Sequence, residues 1–153
     1  MFRRAIRTLA LGLLLAGVAI SAHAELQKWD AAKVSPLAAQ LQTATRDLYD
    51  TFYKQPKVGA GQAQEYYRLK QDVRHLRNEA KALAGALEKG AGQAETLPIY
   101  EDLMQVVRRA RDDAQRVFTT RDVQEKASTV RALVNQLSPY YDPDAVPLQP
   151  TTR

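Results

Sequence analysis

The stretch YYRLKQDVRHLRNEAKALAGALEKG, residues 66–90, carries the clearest structural pattern of the chain. Its apolar residues are separated by alternating steps of three and four, which is the spacing of a helix that buries one stripe of side chains. Gly90 stands at its end, and glycine is the residue most favoured just after a helix. The pattern predicts a helix over about residues 62–89, with a buried stripe of Tyr66, Leu69, Val73, Leu76, Ala80, Leu83 and Leu87.

Three further stretches repeat this spacing and predict three more helices. The first begins at Ser35, which suits an N-cap and is followed by a proline, and it ends near Tyr53. The third begins near Thr96, also as a cap, and the fourth ends at Ser138, because the residue before a proline avoids the helical region. The predicted stripes are Leu37, Leu41, Ala44, Leu48 and Phe52, then Tyr100, Leu103, Val107, Ala110, Ala114 and Val117, then Val123, Ala127, Val130, Val134, Leu137 and Tyr141.

The segment FTTRD, residues 118–122, separates the third stripe from the fourth. If the third stripe continued past this segment, its next four positions would all be polar and would be costly to bury without partners. These positions are Arg121, Gln124, Ser128 and Arg131. The spacing of Thr119 and Asp122 also resembles a capping box. We therefore expect two separate helices here, and one long kinked helix is the alternative.

Four amphipathic helices with short connections predict an all-α fold, an up-down-up-down antiparallel four-helix bundle over residues 25–138. No run of alternating β-branched residues indicates a strand. Ahead of the first helix, Trp29 is available to pack on the bundle. Residues 139–153 contain four prolines and are predicted to form an extended or disordered C-terminal tail.

The first 24 residues are predicted to be a signal peptide. They show the order of a secretory leader, with arginines first, then an apolar segment, then a small-residue cleavage site. The apolar segment, residues 9–20, has twelve residues, whereas a membrane-spanning helix needs about 20. Cleavage after Ala24 would release a periplasmic or secreted protein with no stable membrane insertion. An uncleaved anchor is the alternative.

The charge balance argues against a nucleic-acid partner. The chain has 22 Lys and Arg and 17 Asp and Glu, a net charge of +5. Three of the arginines lie in the leader, which has no acidic residue, so the remainder carries a net charge of only +2. Such a balance gives little electrostatic drive toward nucleic acid. The lack of cysteine excludes disulfides, thiolate catalysis, Cys-ligated zinc and iron–sulfur clusters.

One candidate metal site lies on the second predicted helix. Asp72, His75 and Glu79 are spaced three and four residues apart, so they share a helix face, and carboxylate and imidazole groups can hold a divalent cation. The alternative is an ordinary solvated face with a favourable His75–Glu79 pair. A di-metal bundle site is excluded, because it needs two histidines and His75 is the only one after the leader.

A leader, four antiparallel helices and no cysteine give the chain a layout that resembles exported cytochrome b562-type bundles. That resemblance implies haem ligation by a methionine near the start of the first helix and a histidine on the last. Here Met104 and His75 are the only methionine and histidine after the leader, and they fall on the third and second helices. We therefore expect no haem and no other cofactor, with Met104 filling the core.

A candidate partner-binding patch collects at one end of the predicted bundle. It consists of four tyrosines and one arginine, residue types that often anchor protein interfaces. The arginine is Arg111. Its neighbours Arg108 and Arg109 have acidic residues four positions further along the helix, which leaves Arg111 as the arginine without such a partner. The alternative for the tyrosines is simple packing at a half-wet bundle end. The proposed members are Tyr49, Tyr53, Tyr66, Tyr67 and Arg111.

The sequence offers no catalytic constellation. It has no Gly-rich phosphate loop and no strand-to-helix nucleophile turn, and two of the three serines after the leader lie at predicted helix ends. We therefore expect a non-enzymatic, exported protein that binds an unidentified envelope protein as an adaptor, chaperone-like or regulatory factor. A monomer or weak homodimer is expected. The alternative function is metal or small-ligand binding through Asp72, His75 and Glu79.

Overall fold

The computed structural model describes residues 26–56, 60–144 and 146–149. These residues form an all-helical structure without strands, as the sequence predicts. None of the described helices is long and apolar enough to cross a membrane. The four α-helices are α1 (Ala31–Lys54), α2 (Ala63–Glu88), α3 (Gln93–Ala114) and α4 (Arg121–Leu137), and the two 3₁₀ turns are Ala60–Gln62 and Ser138–Tyr140.

Helix α2 matches its prediction within one residue at either end. Six of the seven stripe residues are buried, and the first, Tyr66, is half-buried. The helix ends at Glu88, and Gly90 follows with φ of +86°, a left-handed conformation that side chains with a Cβ rarely adopt. The stripe therefore fixes both the extent and the buried face of this helix.

The predicted starts of α1 and α3 are wrong by several residues. Asp30, not Ser35, is the N-cap of α1, and its Oδ1 accepts a hydrogen bond of 3.1 Å from the Ala32 amide. In α3, Gly92 precedes the helix and its amide donates to Glu95 Oε2 at 2.8 Å, whereas Thr96 is a buried helical residue. Each helix carries a proline in its second turn, Pro36 in α1 and Pro98 in α3, where the missing N–H removes one intrahelical hydrogen bond.

The third and fourth helices are separate, so the alternative of one kinked helix is wrong. The cap is displaced by one position from the prediction. The hydroxyl of Thr120, not Thr119, accepts from the Val123 amide at 3.5 Å. Thr119 is buried instead, and its backbone carbonyl accepts from Gln124 Nε2 at 3.1 Å.

The helices do not pack equally on one another. Helix α1 packs against α2 and α4, and α2 packs against α3. Within the described residues, α3 and α4 make almost no close contact with each other. Helices α3 and α4 therefore lie farther apart than the other neighbouring pairs, although the core residues of both are buried.

A buried polar cluster closes the end where α3 starts and α4 finishes. The Tyr100 hydroxyl donates to Ser138 Oγ at 2.9 Å, and the hydroxyls of Tyr141 and Thr96 lie 3.0 Å apart. The two tyrosine rings stack at 4.2 Å, and Trp29 meets Tyr141 edge-on at 5.5 Å, so Trp29 packs as predicted. Where the sequence predicts the tail to begin, the chain forms a 3₁₀ turn and buries its tyrosines in this cluster.

The two glycines of the α2 region give a stability test with opposite signs. Gly85 lies inside α2, and a Cβ there would meet no atom within 4 Å, so Gly85→Ala is expected to stabilise the protein by about 0.5–1 kcal/mol. Gly90 has equal space but a positive φ, so Gly90→Ala is expected to destabilise by about 1–2 kcal/mol. Urea denaturation of both variants measures the two shifts. Shifts of the same sign would contradict the assigned end of α2.

Candidate functional site

One of the two carboxylates of the predicted metal face, that of Asp72, is hydrogen-bonded to another helix. Arg109 of α3 donates from Nε to Asp72 Oδ1 at 3.4 Å, and the Asp72 side chain is only 12% exposed. His75 is exposed and Glu79 is half-buried. Among the described residues, no group of three or more His, Asp and Glu side chains is placed to hold a metal ion. Asp72 thus serves as a link between α2 and α3.

Burial raises the pKa of the Asp72 carboxyl above its ordinary value. The loss of solvent around the carboxylate is the largest cause, and the charge and hydrogen bond of Arg109 act in the opposite direction. Arg109 is itself half exposed, so water screens its attraction for Asp72. The pair therefore links α2 to α3 but adds less stability than a fully buried pair of the same geometry would give.

A ladder of aromatic rings and cations lies on the outer face of α1 and α2, and we name it the aromatic–cation strip. The rings of Tyr49 and Tyr53, one helical turn apart on α1, lie 4.1 Å from each other. From α2, the Arg77 guanidinium lies 4.0 Å from the Tyr49 ring centroid, and Lys70 Nζ lies 4.2 Å from that of Tyr53. These distances are those of cation–π contacts, which hold all four side chains in one arrangement.

The strip is partly exposed and positively charged. Tyr53 is 37% exposed, and burial and its neighbour Tyr49 raise the pKa of its phenol, so the hydroxyl stays neutral near pH 7. Lys70, Arg74 and Arg77 form no ion pair with any residue in the described segments. Their positive charge is therefore available to a partner.

The structure brings only part of the predicted patch together. Tyr66 turns inward, where its ring stacks on Phe52 at 5.0 Å and its hydroxyl donates to the Phe52 carbonyl at 3.5 Å. Tyr67 is 61% exposed, whereas Arg111 lies on α3 and lines a pocket between α3 and α4. Arg111 is also paired, since its Nη2 lies 3.2 Å from Asp112, which was predicted to pair with Arg108.

A cavity of about 380 Å³ lies between α3 and α4, and we name it the α3–α4 cavity. Protein interiors normally contain few voids larger than one water molecule, so the volume of this cavity is larger than ordinary packing leaves. The walls are mostly apolar and come from all four helices. The lining residues are Leu48, Phe52, Leu69, Val73, Leu76, Val107, Ala110, Arg111, Ala114, Thr119, Val123, Gln124, Ala127, Val130, Arg131, Leu148 and Gln149.

Two arginines, Arg111 and Arg131, lie at the opening of the α3–α4 cavity together with Leu148 of the C-terminal segment, which is hydrogen-bonded to α4. Arg111 of α3 is exposed, and Arg131 of α4 is half-buried. The Leu148 amide donates to Asn135 Oδ1 at 2.9 Å, and Asn135 Nδ2 donates to the Leu148 carbonyl at 3.3 Å. This pair of hydrogen bonds holds the Leu148 side chain against the core at the edge of the opening.

The apolar stripes by themselves predict a filled core and do not indicate the cavity. The available signal was the run of small stripe residues Ala110, Ala114 and Ala127 on the two facing helices. The haem ligands considered from the sequence lie elsewhere. Met104 is half-buried on α3 and His75 is exposed on α2, and neither lines the cavity.

Asp72→Asn tests the assignment of the buried carboxyl. A carboxyl with a raised pKa stabilises the folded state only while it is protonated, so the wild type should lose stability relative to the variant as the pH rises from about 3.8 through the raised pKa. The unfolding free energy of the variant minus that of the wild type, from urea titrations at each pH, should therefore increase over this range. A decrease would mean that the attraction of Arg109 outweighs burial.

No protein-family model, curated protein or solved structure matches this chain. The geometry of the described residues is therefore the basis for assigning a function. It offers two surfaces, the aromatic–cation strip on α1 and α2 and the α3–α4 cavity.

Proposed function

We propose that this chain is an exported, non-enzymatic protein that acts through protein binding in the cell envelope, as an adaptor, chaperone-like or regulatory factor. The helices would form an up-down-up-down antiparallel bundle that follows a cleaved signal peptide. Contacts between helix ends support this arrangement. The end of α1 lies beside the start of α2 through the Phe52–Tyr66 stack, and the amide of Gln27 donates to the Pro139 carbonyl at 2.8 Å beyond the end of α4.

The observation that carries the proposal is the aromatic–cation strip. Tyrosine and arginine are the residues that most often supply binding energy at protein interfaces. In the strip the cations already contact the rings without a partner, with the Arg77 guanidinium 4.0 Å from the Tyr49 centroid and Lys70 Nζ 4.2 Å from the Tyr53 centroid. Side chains that are ordered in advance lose less conformational entropy on binding. The strip is therefore prepared for contact with a second protein.

The charge of the strip indicates the chemistry of the partner. Lys70, Arg74 and Arg77 lie on one helix, and none of them is neutralised by an acidic residue in the described part of the chain. An acidic segment of an envelope protein would complement this face and would also be attracted to it from a distance. Binding of this kind weakens as salt concentration rises.

The positions of the serine and histidine side chains support a non-enzymatic role. The Ser138 hydroxyl is buried between the Tyr100 hydroxyl and the Val134 carbonyl, to which it donates at 2.9 Å. His75 is exposed on α2, on a different element from Ser138. A nucleophile needs a base within hydrogen-bond reach, and Ser138 instead has structural partners.

Export is testable on the protein purified from its native source. The leader, residues 1–24, lies outside the residues that the structure describes. If it is a signal peptide that is cleaved after Ala24, N-terminal sequencing of the mature protein should begin with Glu25. Recovery of Met1, or of protein that stays with the membrane pellet after a salt wash, would contradict cleavage.

Binding through the strip is testable with a double variant. Tyr53→Ala/Arg77→Ala removes one ring and one cation and should lower the amount of captured envelope protein by about tenfold, which is the usual effect of losing interface anchors. Capture is measured by pull-down from an envelope extract at low salt, with quantitative mass spectrometry of the bound proteins. The proteins that are lost should be acidic and should elute from the wild type as salt rises.

Phe118→Ala is the matched control for this experiment. Phe118 is 67% exposed in the connection between α3 and α4, so the variant removes an exposed ring of similar size that is not part of the strip. It should capture the same proteins as the wild type. Equal recovery of every protein by the wild type, the double variant and the control would overturn the role of the strip.

A further inference from the structure

We propose that the α3–α4 cavity is a binding site for a single-chain alkyl carboxylate, that is, a free fatty acid. The alkyl chain would lie in the apolar interior of the cavity, and the carboxylate would lie at the opening, beside Arg111 and Arg131. This site is separate from the aromatic–cation strip, because the strip lies on the outer face of α1 and α2. The inference therefore goes beyond the proposed function and does not depend on it.

The size and walls of the cavity suit an alkyl chain. Its volume of about 380 Å³ lies within the range of pockets that bind small molecules. The accessible apolar wall comes from half-buried side chains, namely Ala110, Ala114, Ala127 and Leu148. Phe52, Leu69, Val73 and Val130 lie behind them and are at most 4% exposed to solvent. Filling such a space with methylene groups removes apolar surface from water on both partners, which favours binding.

The polar groups at the opening suit an anionic head. Arg111 donates hydrogen bonds from Nε and Nη2 to Asp112 Oδ1, at 3.3 and 3.2 Å. Arg131 donates from Nη2 to Ser128 Oγ at 2.9 Å. A guanidinium has five N–H donors, so both arginines keep donors for a carboxylate. Among the described residues Arg131 has no ion-pair partner. Its charge at the edge of an apolar cavity favours an anion over a neutral ligand.

The C-terminal segment indicates a slender occupant and argues against a docked helix of another protein. Leu148 is held by two hydrogen bonds to Asn135 and lines the cavity, so it covers part of the opening. A helix would need the whole length of the gap between α3 and α4 to be free. An alkyl chain can enter beside Leu148 and leave its head among the arginines.

The test uses dodecanoate and dodecanol as probes, because they share one chain length and differ in charge. Binding to the mature protein is measured by isothermal titration calorimetry below the concentration at which either probe aggregates. The wild type should bind dodecanoate at least about tenfold more tightly than dodecanol, as expected for charged hydrogen bonds. Failure to bind dodecanoate, or equal affinity for the two probes, would overturn the proposal.

Two sets of variants assign the chain and the head to their places. Ala127→Leu adds bulk inside the cavity and should abolish binding while it raises the melting temperature, because it fills a void in the folded protein. Arg111→Gln/Arg131→Gln should lower dodecanoate affinity to that of dodecanol and leave dodecanol binding unchanged. Arg121→Gln, on α4 outside the cavity, is the control and should bind both probes as the wild type does. Unchanged dodecanoate binding in either test variant would overturn the assignment.

Discussion

The structure depends on how four apolar stripes of unequal bulk share one interior. Helices α1 and α2 bring leucine and phenylalanine, such as Phe52, Leu69 and Leu76, to its centre. Helices α3 and α4 bring alanine and valine at the same level. The small side chains Ala110, Ala114 and Ala127 leave a gap between α3 and α4, although the larger residues behind them are buried. The fold keeps the gap, and the α3–α4 cavity results.

The two helices beside the gap are held in place at their ends by other elements. At one end, Tyr100 and Tyr141 tie the start of α3 to the turn that follows α4. At the other end, side-chain amides of Gln55 and Gln62 bond the backbone of the connection between α3 and α4. Hydrogen bonds in these positions satisfy backbone groups that helix ends leave unpaired. Because both ends are fixed, α3 and α4 remain apart along their length without needing direct contact.

The two sides of the domain thus have different chemistry. Helices α1 and α2 pack tightly with each other and present ordered rings and cations outward, which suits contact with another macromolecule. Helices α3 and α4 leave the α3–α4 cavity between them, which suits a small apolar molecule. Neither feature requires a metal, a cofactor or a nucleophile. Both follow from where the helices bury their surface and where they cannot.

The sequence by itself determined the four helices, the buried face of α2 and the break before α4, because these depend on neighbours three and four residues apart along the chain. The predicted stripes of the other helices were right in part, since Val34 and Leu133 are buried outside them and Leu37 is only half-buried. It also placed Tyr49 and Tyr53 on one face. Only the tertiary structure decided that Arg77 and Lys70 cover those rings, that Asp72 meets Arg109, and that α3 and α4 stand apart. Those features depend on the distance and register between helices, which the periodicity of one helix does not encode.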